Sequence, residues 1–142
     1  MITKFDDFLF ESIGKKYFYH ATKNENLTYI YWNGLIPSKK SNWSGDLGDF
    51  SIGKVFMTSN FVTAKFYGSM INKTNPSPIL RIDGGVNYII DKNGSKINLI
   101  KDKKDKKPTF DYYTTFKIEC NFEILINKKW VPLTLDIIKT LD

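Results

Sequence analysis

The sequence predicts a mixed α+β fold built as one domain, and three observations predict it. Short runs rich in aromatic and β-branched residues, of strand length, recur along the chain. Segments with helical spacing and helix-capping residues alternate with the early strands, so the order is helix, strand, helix, loop, strand, helix and then several strands. The 142 residues, 42% of them apolar, suffice for one core.

In chain order, residues 5–13 place Phe5, Phe8, Leu9 and Ile13 on one side and acidic residues on the other, which predicts a short amphipathic helix ended by Gly14. The aromatic run KYFYHA (16–21) reads as a strand. Thr22 to Asn24 can cap a helix over about 25–32, with Gly34 as its stop. The polar, glycine-containing stretch 41–53 reads as a loop, where binding residues gather. KVFMT (54–58) predicts a buried strand, and Ser59 or Asn60 can cap a helix over 61–71 that carries Tyr67. ILRID (79–83) and VNYIID (86–91) predict a hairpin separated by Gly84-Gly85. A lysine-rich loop follows at about 101–108. Residues 115–119 and 122–126 read as strands, and Trp130 to Leu133 leads into a short C-terminal helix.

No apolar stretch approaches the roughly 20 residues needed to cross a bilayer, and the first residues lack the basic end and long apolar run of a secretory signal. A soluble, cytoplasmic protein without a membrane partner is therefore expected. The lone Cys120 excludes an internal disulfide. The net charge of +6 and the pI near 9.3 favour an anionic partner such as nucleic acid, a dinucleotide or an acidic protein surface. Much of that excess sits between Lys101 and Lys107, a run of the kind that is more often a solvated loop than a site.

Neither GxGxxG nor GxxxxGK[ST] occurs, so a Rossmann site and a P-loop are both unsupported. One histidine, His20, and one cysteine cannot assemble a conventional zinc centre, and no metal is expected. Cys120 as a nucleophile would need a paired base and a depressed pKa, for which the sequence offers no sign.

Four segments read together carry a resemblance: YFYHAT (17–22), NLTYIYWNGLIPS (26–38), GKVFMTSNFVTAKFYGS (53–69) and FEILINKKWVPLTLDII (122–138). In this order they resemble an ADP-ribosyltransferase of the His-Tyr-Glu branch, which includes diphtheria-like toxins, poly(ADP-ribose) polymerases and small bacterial and phage domains. The matching features are the triplet His20-Ala21-Thr22, the helix end Gly34-Leu35, the Val55 to Ser59 block followed by Ala64 and Tyr67, and a late strand opened by Glu123. Ala21 stands where the family usually has glycine. The segment MITKFDDFLFES is similar to N-terminal segments of some tailed-phage proteins, which would make the host cytoplasm the place of action.

The resemblance implies a split, mixed or antiparallel β-sheet core flanked by short helices, and NAD as substrate. It implies that His20 contacts the adenosine-side ribose, that Thr22 supports the same strand end, that the backbone at Ala21 grips the nicotinamide amide, and that Ser59 lies in the NAD site. Tyr67 would stack on the cationic nicotinamide ring, which gains contact area and cation–π attraction from an aromatic face. Glu123 would accept the ribose 2′-hydroxyl and stabilise the positive charge that grows as the bond to nicotinamide breaks. Glu119, four residues earlier, is the competing carboxylate, and Asn121 stands where an acceptor-orienting residue is often found. The expected function is mono-ADP-ribosyl transfer to a protein or nucleic-acid acceptor. NAD glycohydrolysis and a non-catalytic nucleotide- or partner-binding domain are the alternatives. RNA 2′-phosphotransfer relies on several arginines, and Arg81 is the only one.

Overall fold

The computed structural model describes residues 16–37, 53–71, 77–101 and 112–141. The predicted helix over 5–13, most of the loop at 41–53 and the lysine run from 102 onward lie outside them. The elements are β1 (Lys16–Ala21), a 3-10 turn (Asn24–Asn26), α1 (Leu27–Asn33), β2 (Val55–Met57), α2 (Phe61–Ile71), β3 (Ile79–Gly85), β4 (Tyr88–Ile90), β5 (Lys96–Asn98), β6 (Ile100–Lys101), β7 (Tyr112–Thr114), β8 (Glu123–Ile126), β9 (Lys129–Pro132) and α3 (Leu135–Thr140). The fold is α+β, with antiparallel sheets and few, short helices.

Strand β3 is the hub of the larger sheet. Its whole length pairs with β1, from Gly84 opposite Lys16 to Ile79 opposite Ala21. On its other flank Leu80 and Arg81 pair with Ile124 and Glu123 of β8, while Gly84 and Gly85 pair with β4. β5 and β9 extend this sheet to six strands, and β2, β7 and β6 form a second one. The two sheets meet where Tyr19 and Thr58 exchange backbone hydrogen bonds of 2.8 and 3.1 Å.

Directly paired residues of an antiparallel ladder project to the same face, and neighbours along a strand project to opposite faces. The pairing therefore sorts the side chains of β1, β3 and β8 into two sets. Phe18, His20, Leu80, Ile82 and Ile124 face inward, and all but His20 are buried in a core they share with Leu27 and Ile30 of α1 and Ile138 of α3. Tyr17, Tyr19, Arg81, Asp83 and Glu123 face outward. Helix α2 lies against that outer face at the end of β1: the Phe61 ring meets the Tyr19 ring edge-on at 5.7 Å, and a Cβ at Gly68 would sit 3.4 Å from that of Ala21. Asn60 caps α2 by accepting from the backbone N–H groups of Val62 and Thr63, at 2.9 and 3.2 Å. α1 ends at Gly34, the stop expected of it, with a positive φ of 80° that glycine adopts without strain.

Three elements differ from the sequence reading. The glycine pair does not form the hairpin turn: β3 runs through Gly85, and the chain reverses at Val86-Asn87, with Asn87 at φ 61°. Gly84 is needed for close approach instead, since a Cβ there would lie 2.2 Å from the Tyr88 carbonyl oxygen and 3.1 Å from the Phe18 ring. Residues 115–119 are not a strand. Thr114 Oγ1 accepts the Phe116 N–H at 3.1 Å and turns the chain, leaving Ile118 to pair only with Leu35. The stretch before the last helix is strand β9, folded back on β8 through Asn127 and Lys128, whose φ values of 48° and 66° have the hand of a two-residue hairpin turn.

Gly84→Ala is expected to destabilise the fold by about 3 kcal/mol, the upper end of overpacking costs, because the obstructing atom is backbone held by the β3–β4 pairing. Urea denaturation compared with wild type measures it, and a loss below about 1 kcal/mol would show that the hairpin yields.

Candidate functional site

Glu123 opens β8 on the outer face. The sequence places it just after buried Phe122, and the apolar alternation of β8 then sends Ile124 inward and Glu123 outward. Arg81 stands directly across on β3, and its Nε–H donates to Glu123 Oε1 at 2.9 Å. The Arg81 and Glu123 side chains keep 19% and 31% of their surface exposed, so the pair is open at one side.

Aromatic rings enclose the pair from both flanks of β3. The Tyr17 ring, from β1, lies 4.0 Å from the guanidinium carbon, and the Trp130 ring, from β9, lies 4.7 Å from it. Trp130 also touches Tyr19 at 5.8 Å and Phe61 at 6.1 Å, closing a continuous aromatic rim. Two cation–π contacts of this kind contribute about 1 kcal/mol each and fix the plane of the guanidinium. Burial raises the pKa of the Tyr19 hydroxyl; Arg81 opposes the shift and Tyr17 reinforces it, so Tyr19 stays neutral at physiological pH.

His20 lies on the other face, one residue beyond Tyr19. Its Nδ1 is 2.8 Å from the Phe56 carbonyl oxygen. A carbonyl only accepts, so Nδ1 carries the proton and Nε2 of the neutral ring is an acceptor. Burial lowers the His20 pKa, and the bond to Phe56 only partly offsets it. His20 thus remains neutral and fastens β1 to β2.

The structure does not bring the three expected catalytic residues to one face. His20 and Glu123 project from opposite sides of the sheet, separated by β3. A ligand touching both must pass round the sheet end where Ala21 pairs with Ile79. Tyr67 is buried on α2, its ring edge-on to Phe66 at 5.8 Å. Ala21 is half-buried against α2, and buried Thr22 spends its backbone N–H on the Pro78 carbonyl at 3.0 Å. Ser59 is exposed in the bend before α2. Asn121 is exposed just before β8.

The two candidate carboxylates separate clearly. Glu119 lies outside any strand, bound by Lys117 at 2.6 Å and Lys92 at 2.8 Å, and these lysines pull its pKa down to about 2. It belongs to a surface ion-pair cluster. Burial, reinforced by Asp91, pushes the Cys120 thiol up to about 12, which removes it as a nucleophile at neutral pH. Among the described residues no three of His, Cys, Asp and Glu gather closely enough to hold a metal ion, and no helix is long and apolar enough to cross a membrane.

The sequence reading missed Arg81, Tyr17, Tyr19, Phe61 and Trp130 as site residues. A signal was present in the alternation of ILRID and KYFYHA, where Arg81, Tyr17 and Tyr19 occupy the non-core positions, but the register joining them to Glu123 is a tertiary fact. No family model, curated protein or solved structure significantly matches the chain.

Because the folded-state pKa of His20 is depressed below 6.5, the unfolded chain takes up its proton first as pH falls, so the His20 contribution is intact above pH 6.5 and is lost below it. His20→Gln is expected to flatten the melting temperature between about pH 7 and about pH 5; an unchanged slope would assign that titration elsewhere. Glu119 acts in a lower window: its stabilisation is full above about pH 4.5 and disappears as pH falls toward about 2. Glu119→Gln should therefore lower the wild-type acid sensitivity in that range, as followed by circular dichroism.

Proposed function

We propose that the protein is an NAD-consuming mono-ADP-ribosyltransferase in which Glu123 is the carboxylate that acts on the nicotinamide-side ribose. The observation that carries this reading is the state of Glu123: it is held at one oxygen by Arg81, keeps 31% of its side chain exposed, and its arginine partner lies between aromatic rings. The sequence resemblance supplies the substrate. Its His20 triplet and its Val55 to Ser59 block lie side by side through the Tyr19–Thr58 backbone pair, and its Glu123 lies two strands away.

In this reaction the glycosidic bond between ribose C1′ and the nicotinamide nitrogen breaks, its electron pair leaving with nicotinamide. Positive charge develops on the ribose, and a nucleophilic oxygen or nitrogen of the acceptor bonds to C1′ and gives up its proton. A fixed carboxylate accepting from the 2′-hydroxyl stabilises that charge more in the transition state than in the ground state. The aromatic rim of Tyr19, Phe61 and Trp130 suits a flat ring or the apolar face of a sugar. His20 serves by tying β1 to β2 and, for a ligand that rounds the sheet end, offers Nε2 as an acceptor for a ribose hydroxyl. Tyr67, buried in α2, supports the helix that carries Phe61.

A second reading, binding of NAD or a related nucleotide without turnover, is favoured by one observation: Arg81 neutralises Glu123, and a neutralised carboxylate stabilises positive charge less. Labelled NAD incubated with protein and cell lysate, beside a nicotinamide-release assay, separates the two. Glu123→Gln is expected to cut NAD turnover about a hundredfold, near 3 kcal/mol in the barrier. Turnover equal in wild type and variant would remove Glu123 from the chemistry, and NAD binding with no turnover in either would establish the second reading.

A further inference from the structure

Arg81 and Glu123 satisfy only part of their hydrogen-bonding capacity on each other. The sole hydrogen bond between their side chains runs from Nε–H to Oε1, and neither side chain forms another hydrogen bond or ion pair among the described residues. Oε2 of Glu123 and the four N–H donors of the two Arg81 Nη groups therefore remain to be satisfied by solvent or a ligand. The open edge of the pair thus offers an acceptor next to donors.

Charge narrows what can dock there. The pair is neutral as a unit, so an anion would leave Glu123 facing a second negative charge, and a cation would face the guanidinium. An uncharged group with a donor and an acceptor side by side meets neither penalty, and two adjacent hydroxyls on one face of a sugar ring are such a group. One hydroxyl donates to Glu123 Oε2 while the oxygen of the other accepts from Arg81 Nη. Trp130, which lies over the Arg81 guanidinium, also meets Tyr19 and Phe61, so the pair shares its face with an aromatic rim that suits the apolar C–H face of a sugar. The guanidinium, held between the Tyr17 and Trp130 rings, is already aimed.

We infer that Arg81 and Glu123 together form a binding site for the cis-diol of a ribose, with Arg81 the specificity-determining residue that reads the 3′-oxygen. The inference rests on the ribose reading of Glu123 given above and adds a role for Arg81 that Glu123 alone does not supply.

The test uses the full chain and two uncharged probes, methyl β-D-riboside and its 3′-deoxy analogue, with binding followed by the indole N–H signal of Trp130 in NMR titrations and NAD turnover measured in parallel. Wild type is expected to bind the riboside at least tenfold more tightly than the 3′-deoxy analogue. Arg81→Met should bind both equally and weakly, and Arg81→Lys, which keeps charge but not the planar fork, should recover only part of the discrimination. Thermal melts of both variants identify any loss caused by unfolding, in which case Arg81→Lys carries the comparison. Wild type that binds the two probes alike, or folded variants that still discriminate tenfold, would overturn the inference even if NAD is consumed. Discrimination that depends on Arg81 without NAD turnover would uphold the diol site and sink the transferase reading. Failure of wild type to bind the riboside would overturn the site.

Discussion

The register of β3 with β1 on one flank and β8 on the other decides what this molecule can do. An antiparallel ladder leaves no freedom once one pair is set: Tyr19 opposite Arg81, and Arg81 opposite Glu123, fix a row of three side chains on one face. A slip of one residue in the β3–β8 pairing would send Glu123 toward Leu80 and Phe18 and bury an unpaired carboxylate, at a cost of several kcal/mol, and a slip of β1 on β3 would turn Tyr17 and Tyr19 away from Arg81. The apolar residues of the inner set hold that register. Leu80, Ile82, Ile124 and Phe18 can be buried together only in this alignment, so core packing and site geometry have a common cause.

The same parity explains why the legible part of the fold and the legible part of the site diverge. Strand and helix positions were readable wherever a local pattern set them: KYFYHA, the helix over 61–71 and the helix stop at Gly34 follow from spacing and glycine chemistry in a few neighbouring residues. The Gly84-Gly85 pair was misleading because a glycine has two uses. Local sequence does not distinguish a turn from a close approach, and the Tyr88 carbonyl and the Phe18 ring that demand the approach are set by tertiary structure. Residues 115–119 failed for a related reason, since the hydroxyl of Thr114 competes for the backbone where a strand would begin.

For the site, the choice of Glu123 over Glu119 rested on the apolar strand that follows it, and the structure gives the two carboxylates different surroundings: one lies on the sheet face with a single arginine, the other on the surface between two lysines. What no local pattern could supply was the distribution of the partners. His20 is only one position from Tyr19, and that one position puts it on the far side of the sheet, bound to Phe56. Arg81 lies 42 residues from Glu123 in sequence, and its importance appears only when β3 and β8 are paired. Side-chain identity was informative, whereas the face it occupies depended on which strands meet.

An arginine beside a working carboxylate has two opposed effects, and their balance bears on the chemistry. It draws off part of the field that Glu123 would direct at a developing positive charge, but it also removes the freedom of the side chain, which otherwise has to be frozen in each encounter at a cost of about 1 kcal/mol or more. With 31% of the Glu123 side chain exposed, water already screens the pair, so the Coulombic loss is smaller than it would be in a dry interior. Closure of the aromatic rim over a ligand would expel that water and strengthen every interaction at once, the favourable one to the ribose and the competing one to Arg81. The arrangement is productive only if the ligand occupies the guanidinium as well as the carboxylate. In the proposed reaction a diol that engages Arg81 through its second hydroxyl would do this and would free Glu123 to respond to charge on the ring, so that recognition and catalysis would depend on the same two side chains.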